Sequence, residues 1–209
     1  MLKIVKIGLG ILTLISLTAC SDQDRSTMRP AENNSNHITK SAEKNRTGHS
    51  LPTKHNYLKI VVGSPQNDYS GTEVSEVREK FGEPNEISKI DIAGTKRNVT
   101  QYSWSTLSPN THASAITVQF LRNRTVGKAF VASVSDSATT VSANKVARIK
   151  SGAKYQSVLK QLGTPNGESV LGIGTPSHEL TYLTDEKGHA VNLTFIDNKL
   201  VNKNTTKIK

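Results

Sequence analysis

The sequence predicts an α+β fold made of a tandem repeat, each copy a helix-helix unit followed by an antiparallel sheet of three or four strands. Three observations carry this: an internal duplication over residues 57–209, two apolar stretches of helical period that each stop at Gly-x-Pro, and period-two alternation downstream of both. In the duplication, Lys59-Ile60 and Gly63 recur as Arg148-Ile149 and Gly152, and Phe81-Gly82-Glu83-Pro84-Asn85 recurs as Leu162-Gly163-Thr164-Pro165-Asn166. Tyr102 is paired with Tyr182, Ile116-Thr117-Val118-Gln119-Phe120 with Val191-Asn192-Leu193-Thr194-Phe195, and Asn123-Arg124-Thr125-Val126 with Asn198-Lys199-Leu200-Val201. The separation between partners falls from 89 residues at the first glycines to 81 at the prolines and 75 at the last phenylalanines, so the first copy has the longer loops, including an insertion over residues 64–71.

Each element has its own local cause. Short leading helices are expected near residues 57–62 and 144–150. Val74, Val77 and Phe81 recur at three- and four-residue steps, as do Tyr155, Val158, Leu159 and Leu162, which puts each set on one face of a helix of about ten residues. Gly82 and Gly163 supply the left-handed cap, and Pro84 and Pro165 prevent continuation. Tyr102 and Trp104 then alternate with polar neighbours, as do Ile116, Val118 and Phe120. Arg122-Asn123 and Asp197-Asn198 are turn-prone pairs and predict two tight hairpins.

The N-terminus has a different character. Lys3 and Lys6 precede an apolar run over residues 7–17, too short to span a bilayer, and Leu17-Thr18-Ala19-Cys20 closes it. This resembles a bacterial lipoprotein signal peptide, which implies that Cys20, the single cysteine, is the lipid attachment site and first residue of the mature chain. The expected location is the outer, extracytoplasmic face of the cell membrane, held by two acyl chains. Residues 21–56 are rich in Ser, Asn, Lys and Thr, with too little apolar surface to offset chain entropy. The expected organisation is a signal peptide at 1–19, lipidated Cys20 and a disordered tether to 56, a first copy at 57–141 and a second at 142–209.

The Phe-Gly-x-Pro-Asn and Leu-Gly-x-Pro-Asn helix ends, the Tyr-x-Trp strand at Tyr102 and Trp104, and the Asn-containing hairpins resemble a family of Gram-positive lipoproteins of uncharacterised function. Their fold is similar to that of the β-lactamase inhibitor proteins and, more distantly, the BamE lipoproteins. The resemblance implies a fold like that of the β-lactamase inhibitor proteins, whose sheet face binds partners through aromatic anchors. This chain departs from the pattern in carrying Arg122-Asn123 and Asp197-Asn198 where Asn-Gly is usual.

No catalytic motif is present: there is no Gly-x-Ser-x-Gly, no His-Glu-x-x-His, and Gly172-Ile173-Gly174-Thr175 lacks the lysine of a phosphate loop. His37, His49 and His55 lie in the tether, and His112, His178 and His189 fall in expected loops or strand ends, without ligand spacing. Glu73, Glu76 and Glu79 fit a solvated helix face. The chain is read as a non-enzyme with no cofactor and no metal. If the apolar strand positions face the helices, Gln101, Ser103, Thr117, Gln119, Thr181, Asn192 and Thr194 face outward on two sheets side by side, and these are the candidate surface for an envelope protein partner. Their Ser, Thr, Gln and Asn side chains are not the aromatic anchors of a strong hot spot. The chain carries a net charge of +10; loss of Lys3 and Lys6 leaves 25 basic residues against 17 acidic, or +8. Outside a cell this favours anionic wall polymer or lipid over nucleic acid, and supplies the alternative reading of an envelope structural lipoprotein.

Overall fold

A computed structural model describes residues 51–64, 70–91, 98–134 and 138–208, and the expected signal peptide, Cys20 and most of the tether lie outside these. The described chain runs α1 (Lys54–Leu58), α2 (Val74–Phe81), β1 (Glu86–Asp91), β2 (Asn98–Trp104), β3 (Ala113–Leu121) and β4 (Arg124–Ala132). It continues with α3 (Ala143–Ala147), α4 (Tyr155–Leu162), β5 (Gly167–Leu171), β6 (Ser177–Leu183), β7 (His189–Ile196) and β8 (Lys199–Lys207). Every strand pairs antiparallel with the next, so the expected two sheets are one eight-stranded meander. The join is β4 against β5, with Phe130 opposite Glu168 and Lys128 opposite Val170. β4 is largely buried and β5 partly so, and each supplies ladder partners for the N–H and C=O groups of the other.

The helices α1, α2, α3 and α4 lie on one face of this sheet. Tyr57, Val77 and Phe81 pack with Trp104, Ile116, Val118, Phe120 and Phe130; Val146, Val158 and Leu162 pack with Leu180, Tyr182, Leu193, Phe195 and Leu200. Alternation along each strand brings these residues to the same side, and full burial of a side chain of this kind contributes roughly 1.5–3 kcal/mol. Ring pairs stiffen the first core: Phe81 meets Trp104 edge-on at 5.1 Å, and Tyr57 meets Phe130 likewise at 5.1 Å.

Local details refine the expectations. α1 begins at Lys54, capped by Thr53, whose hydroxyl accepts from Asn56 N at 3.1 Å, so packing starts before residue 57. α2 and α4 are eight residues each, and Gly82 (φ 71°, ψ −166°) and Gly163 (φ 83°, ψ −158°) stop them. That conformation is not the left-handed helical one expected; it is a region essentially reserved for glycine. Arg122, Asn123, Asp197 and Asn198 all have positive φ, as tight hairpin turns require. Tyr182 is matched by Trp104 rather than by Tyr102: the Trp104 indole N–H donates to the Gly82 carbonyl at 3.2 Å, and the Tyr182 hydroxyl to that of Gly163 at 3.0 Å. Tyr102 instead stands where Leu180 stands, since both lie opposite the central β-strand residues Val118 and Leu193.

Candidate functional site

The seven outward positions do share the face away from the helices. The register aligns Gln101 with Gln119, Ser103 with Thr117, Thr181 with Asn192, and Glu179 with Thr194. Hydrogen bonds tie them across strands: Gln119 Nε2 donates to Gln101 Oε1 at 3.2 Å, Thr181 Oγ1 to Asn192 Oδ1 at 2.9 Å, and Thr194 Oγ1 to Glu179 Oε2 at 3.2 Å. Two of the seven are not accessible. Gln119 is 4 % exposed and Thr194 is 6 % exposed, because the Gln119 amide lies over Gly127 and the Thr194 hydroxyl folds onto Glu179. Gln101, Ser103, Thr117, Thr181 and Asn192 remain half-buried.

The face is not polar throughout. Ile90 lies opposite Val99, and these join Val126, Ile173, Leu121 and Leu171 in a third apolar cluster at one end. Ile173 thereby anchors the Gly172-Ile173-Gly174-Thr175 loop between β5 and β6. Between the strand ends this face carries no Lys or Arg, and its charged groups are Glu86 and Glu179. Lys89, Lys128, Lys203 and Lys207 fall on the helix side. Burial holds the Glu179 carboxyl above its ordinary pKa, against the opposing effect of the Thr194 hydrogen bond. The segment between β2 and β3 does not cover this face, since Ser108 N and Thr111 Oγ1 both donate to the Pro52 carbonyl and Leu107 packs into the first helix-side core.

On the helix side a cleft of ≈ 340 Å³ lies between the halves, lined by Val62, Tyr155, Val170, His178, Phe195 and Asp197 among others. The Tyr155 ring meets those of His178 and Phe195 edge-on, and its hydroxyl donates to Glu168 Oε1 at 2.9 Å. Burial raises the Tyr155 pKa and lowers that of His178, so the phenol keeps its proton and the imidazole is neutral at pH 7. His189 bonds Asp185 at 2.6 Å on the surface, and His112 is exposed in a turn. Among the described residues no three His, Cys, Asp or Glu side chains are grouped to hold a metal ion.

A family model described as a domain of unknown function with a solved structure, DUF3862, matches residues 50–208. The chain belongs to the DUF3862 family. This DUF3862 chain also superposes on a crystal structure at 1.40 Å from Streptococcus mutans, a protein provisionally assigned as a β-lactamase inhibitor protein. The TM-score is 0.56 at 19 % identity, over 74 % of this chain and 95 % of that one, which shows a fold like that of the β-lactamase inhibitor proteins. No curated protein matches the chain.

A charge feature beside the two hairpin turns escaped the sequence reading. Glu73 and Arg124 face each other across an isolated bridge and form an ion pair at 2.6 Å; Lys154 and Lys199 face each other across the corresponding bridge in the second half. The backbone bonds match in both: Thr125 N bonds the Thr72 carbonyl and Val74 N that of Asn123, as Leu200 N bonds Ala153 and Tyr155 N bonds Asn198. The side chains differ, in charge and in that Arg124 also donates to the Gly71 carbonyl and Thr125 Oγ1 to that of Thr72.

Proposed function

We propose that this DUF3862 chain is a non-enzymatic binding module, anchored through Cys20 on the extracytoplasmic face of the membrane, that docks an envelope protein on the sheet face away from its helices. The observation that carries this is the placement of Gln101, Ser103, Thr117, Thr181 and Asn192 on one continuous sheet, half-exposed and spread across both halves. A single sheet makes one broad platform where two separate sheets would have made two small ones. The absence of Lys and Arg between its strand ends suits a neutral or basic protein surface and not a polyanion. The helix side is occupied by packed cores, and the cleft there holds a phenol and an imidazole with no hydroxyl or thiol bonded to that imidazole among the described residues.

The same reading takes the two halves as copies of one unit, supported by the matching bonds to Gly82 and Gly163 and at Gly63 and Gly152, whose N–H groups donate to Thr125 and Leu200. The test is site-specific photo-crosslinking in membranes of the producing cell. A crosslinking side chain at Thr117 and one at Asn192 should each trap the same discrete partner, whereas one at Lys59 on the helix side should not. Trapping from Lys59 alone, or different partners from the two face positions, would overturn the proposal.

A further inference from the structure

We propose that the edge formed by the segment after α3 and by β8 is a docking surface for a linear polyanion that carries phosphate groups, a site separate from the sheet face. The edge is assembled tightly. Gly152 N donates to the Leu200 carbonyl at 2.8 Å, Leu200 N to that of Ala153 at 2.9 Å, and Lys203 Nζ to the carbonyl of Ile149 at 2.8 Å. This brings Arg148, Lys150 and Lys154 alongside Lys199 and Lys203, with Lys207 further along the same strand. All six are exposed, and none makes an ion pair with a described residue.

The informative member is the Lys154 and Lys199 pair. Like charges directly opposite on paired strands are destabilising, and the first half of this chain fills the same place with Glu73 and Arg124. An unneutralised pair held where an ion pair is available to the fold points to an external anion. Lys203 and Lys207 lie four residues apart on the helix side of β8, about 13 Å, and the bulge between Leu200 and Asn202 turns Lys199, with Lys154 opposite it, to the other side of the same edge, so cations are spaced along the edge on both its sides. Cations spaced along an edge fit a chain of phosphates that runs beside it. A membrane surface fits less well, because the only large apolar residue exposed on β8 is Val201 and interfacial binding uses Trp, Phe or Leu beside the basic residues. Nucleic acid fits less well too, because β8 and the segment before α4 offer no aromatic ring on which a base could stack.

The test measures binding of the full chain, held in a neutral detergent, to fluorescent inorganic polyphosphate and to phosphatidylglycerol vesicles. Wild type should bind polyphosphate with an affinity that falls as salt rises. Lys154→Glu should rebuild the ion pair of the first half, weaken polyphosphate binding at least tenfold and raise the melting temperature, so that loss of binding cannot be ascribed to loss of fold. Lys89→Glu, the same charge change on the opposite edge strand, should leave affinity within threefold. Equal weakening by the two variants, polyphosphate binding unchanged by Lys154→Glu, or a Lys154-dependent interaction with vesicles only would overturn the proposal. None of these outcomes bears on the crosslinking test of the sheet face.

Discussion

Trp104 and Tyr182 make the same bond at the ends of α2 and α4: an indole N–H meets the Gly82 carbonyl and a phenol O–H meets the Gly163 carbonyl. Each ties the last turn of a helix to the strand beneath it through a carbonyl that the helix itself leaves free. Tyr182→Phe removes only the hydroxyl and should cost about 1 kcal/mol. Trp104→Phe loses the bond and leaves space beside Phe81, for roughly 2–3 kcal/mol in all. Chemical denaturation of the two variants should rank them in that order, with unchanged slopes.

The helices, hairpins and strand phases were legible because each has a local signal: three- and four-residue spacing, Gly-x-Pro, and alternation around Asn123 and Asn198. The pairing of β4 with β5 was not, since nothing local in residues 124–132 or 167–171 says which strand will be the neighbour. Residue identity pairs Tyr182 with Tyr102 and hides its match to Trp104, because the matching bond depends on reach to a backbone carbonyl and not on side-chain type. The burial of Gln119 follows from Gly127 leaving space for its amide, a pairing across strands that the alternation rule does not see. The Lys154 and Lys199 pair was within reach, because aligning Asn123-Arg124 with Asn198-Lys199 and Val74 with Tyr155 sets Glu73 against Lys154 and Arg124 against Lys199.

Glycine contacts separate two kinds of crowding. A Cβ at Gly172 would stand 2.1 Å from the Gly63 carbonyl oxygen, and neither backbone can yield because Gly172 N is bonded to the Val126 carbonyl. At Gly127 the nearest obstacle, at 2.5 Å, is the Gln119 side chain, which can rotate. Gly172→Ala should therefore cost about 3 kcal/mol or more, and Gly127→Ala about 1 kcal/mol, in thermal or urea unfolding. Similar losses at the two sites would show that the loop around Ile173 adjusts freely.

Glu179 gives a pH signature. Its carboxyl is held above the ordinary value by burial, so the folded state favours the protonated form. The stability this contributes is fully present below the unfolded-state pKa and is lost as pH rises through the folded one. Glu179→Gln, which keeps an acceptor for Thr194 Oγ1 without the charge, should be more stable than wild type at pH 7, and the two should converge near pH 3. A pH-independent difference between them would mean that burial of the charge is not what the site resists.

The N-terminal boundary and the anchor can be separated by three chains. The Pro52 carbonyl accepts from Ser108 N at 3.0 Å and from Thr111 Oγ1 at 3.2 Å, and Thr53 caps α1, so residues 52 and 53 belong to the packed unit. A chain beginning at 51 should melt as the full chain does. One beginning at 57 loses the cap, worth ~1 kcal/mol, together with both bonds to Pro52, and should melt several degrees lower. Cys20→Ser should leave the melting temperature unchanged while abolishing incorporation of a fatty-acid probe and releasing the chain from membranes. The proposed anchor rests on two acyl chains, which durable attachment needs, and on the single thiol as the place where they would be added. Label retained after Cys20→Ser, or a wild-type chain that takes up none, would remove the anchor from this account and leave the sheet face and the basic edge to be explained without a membrane.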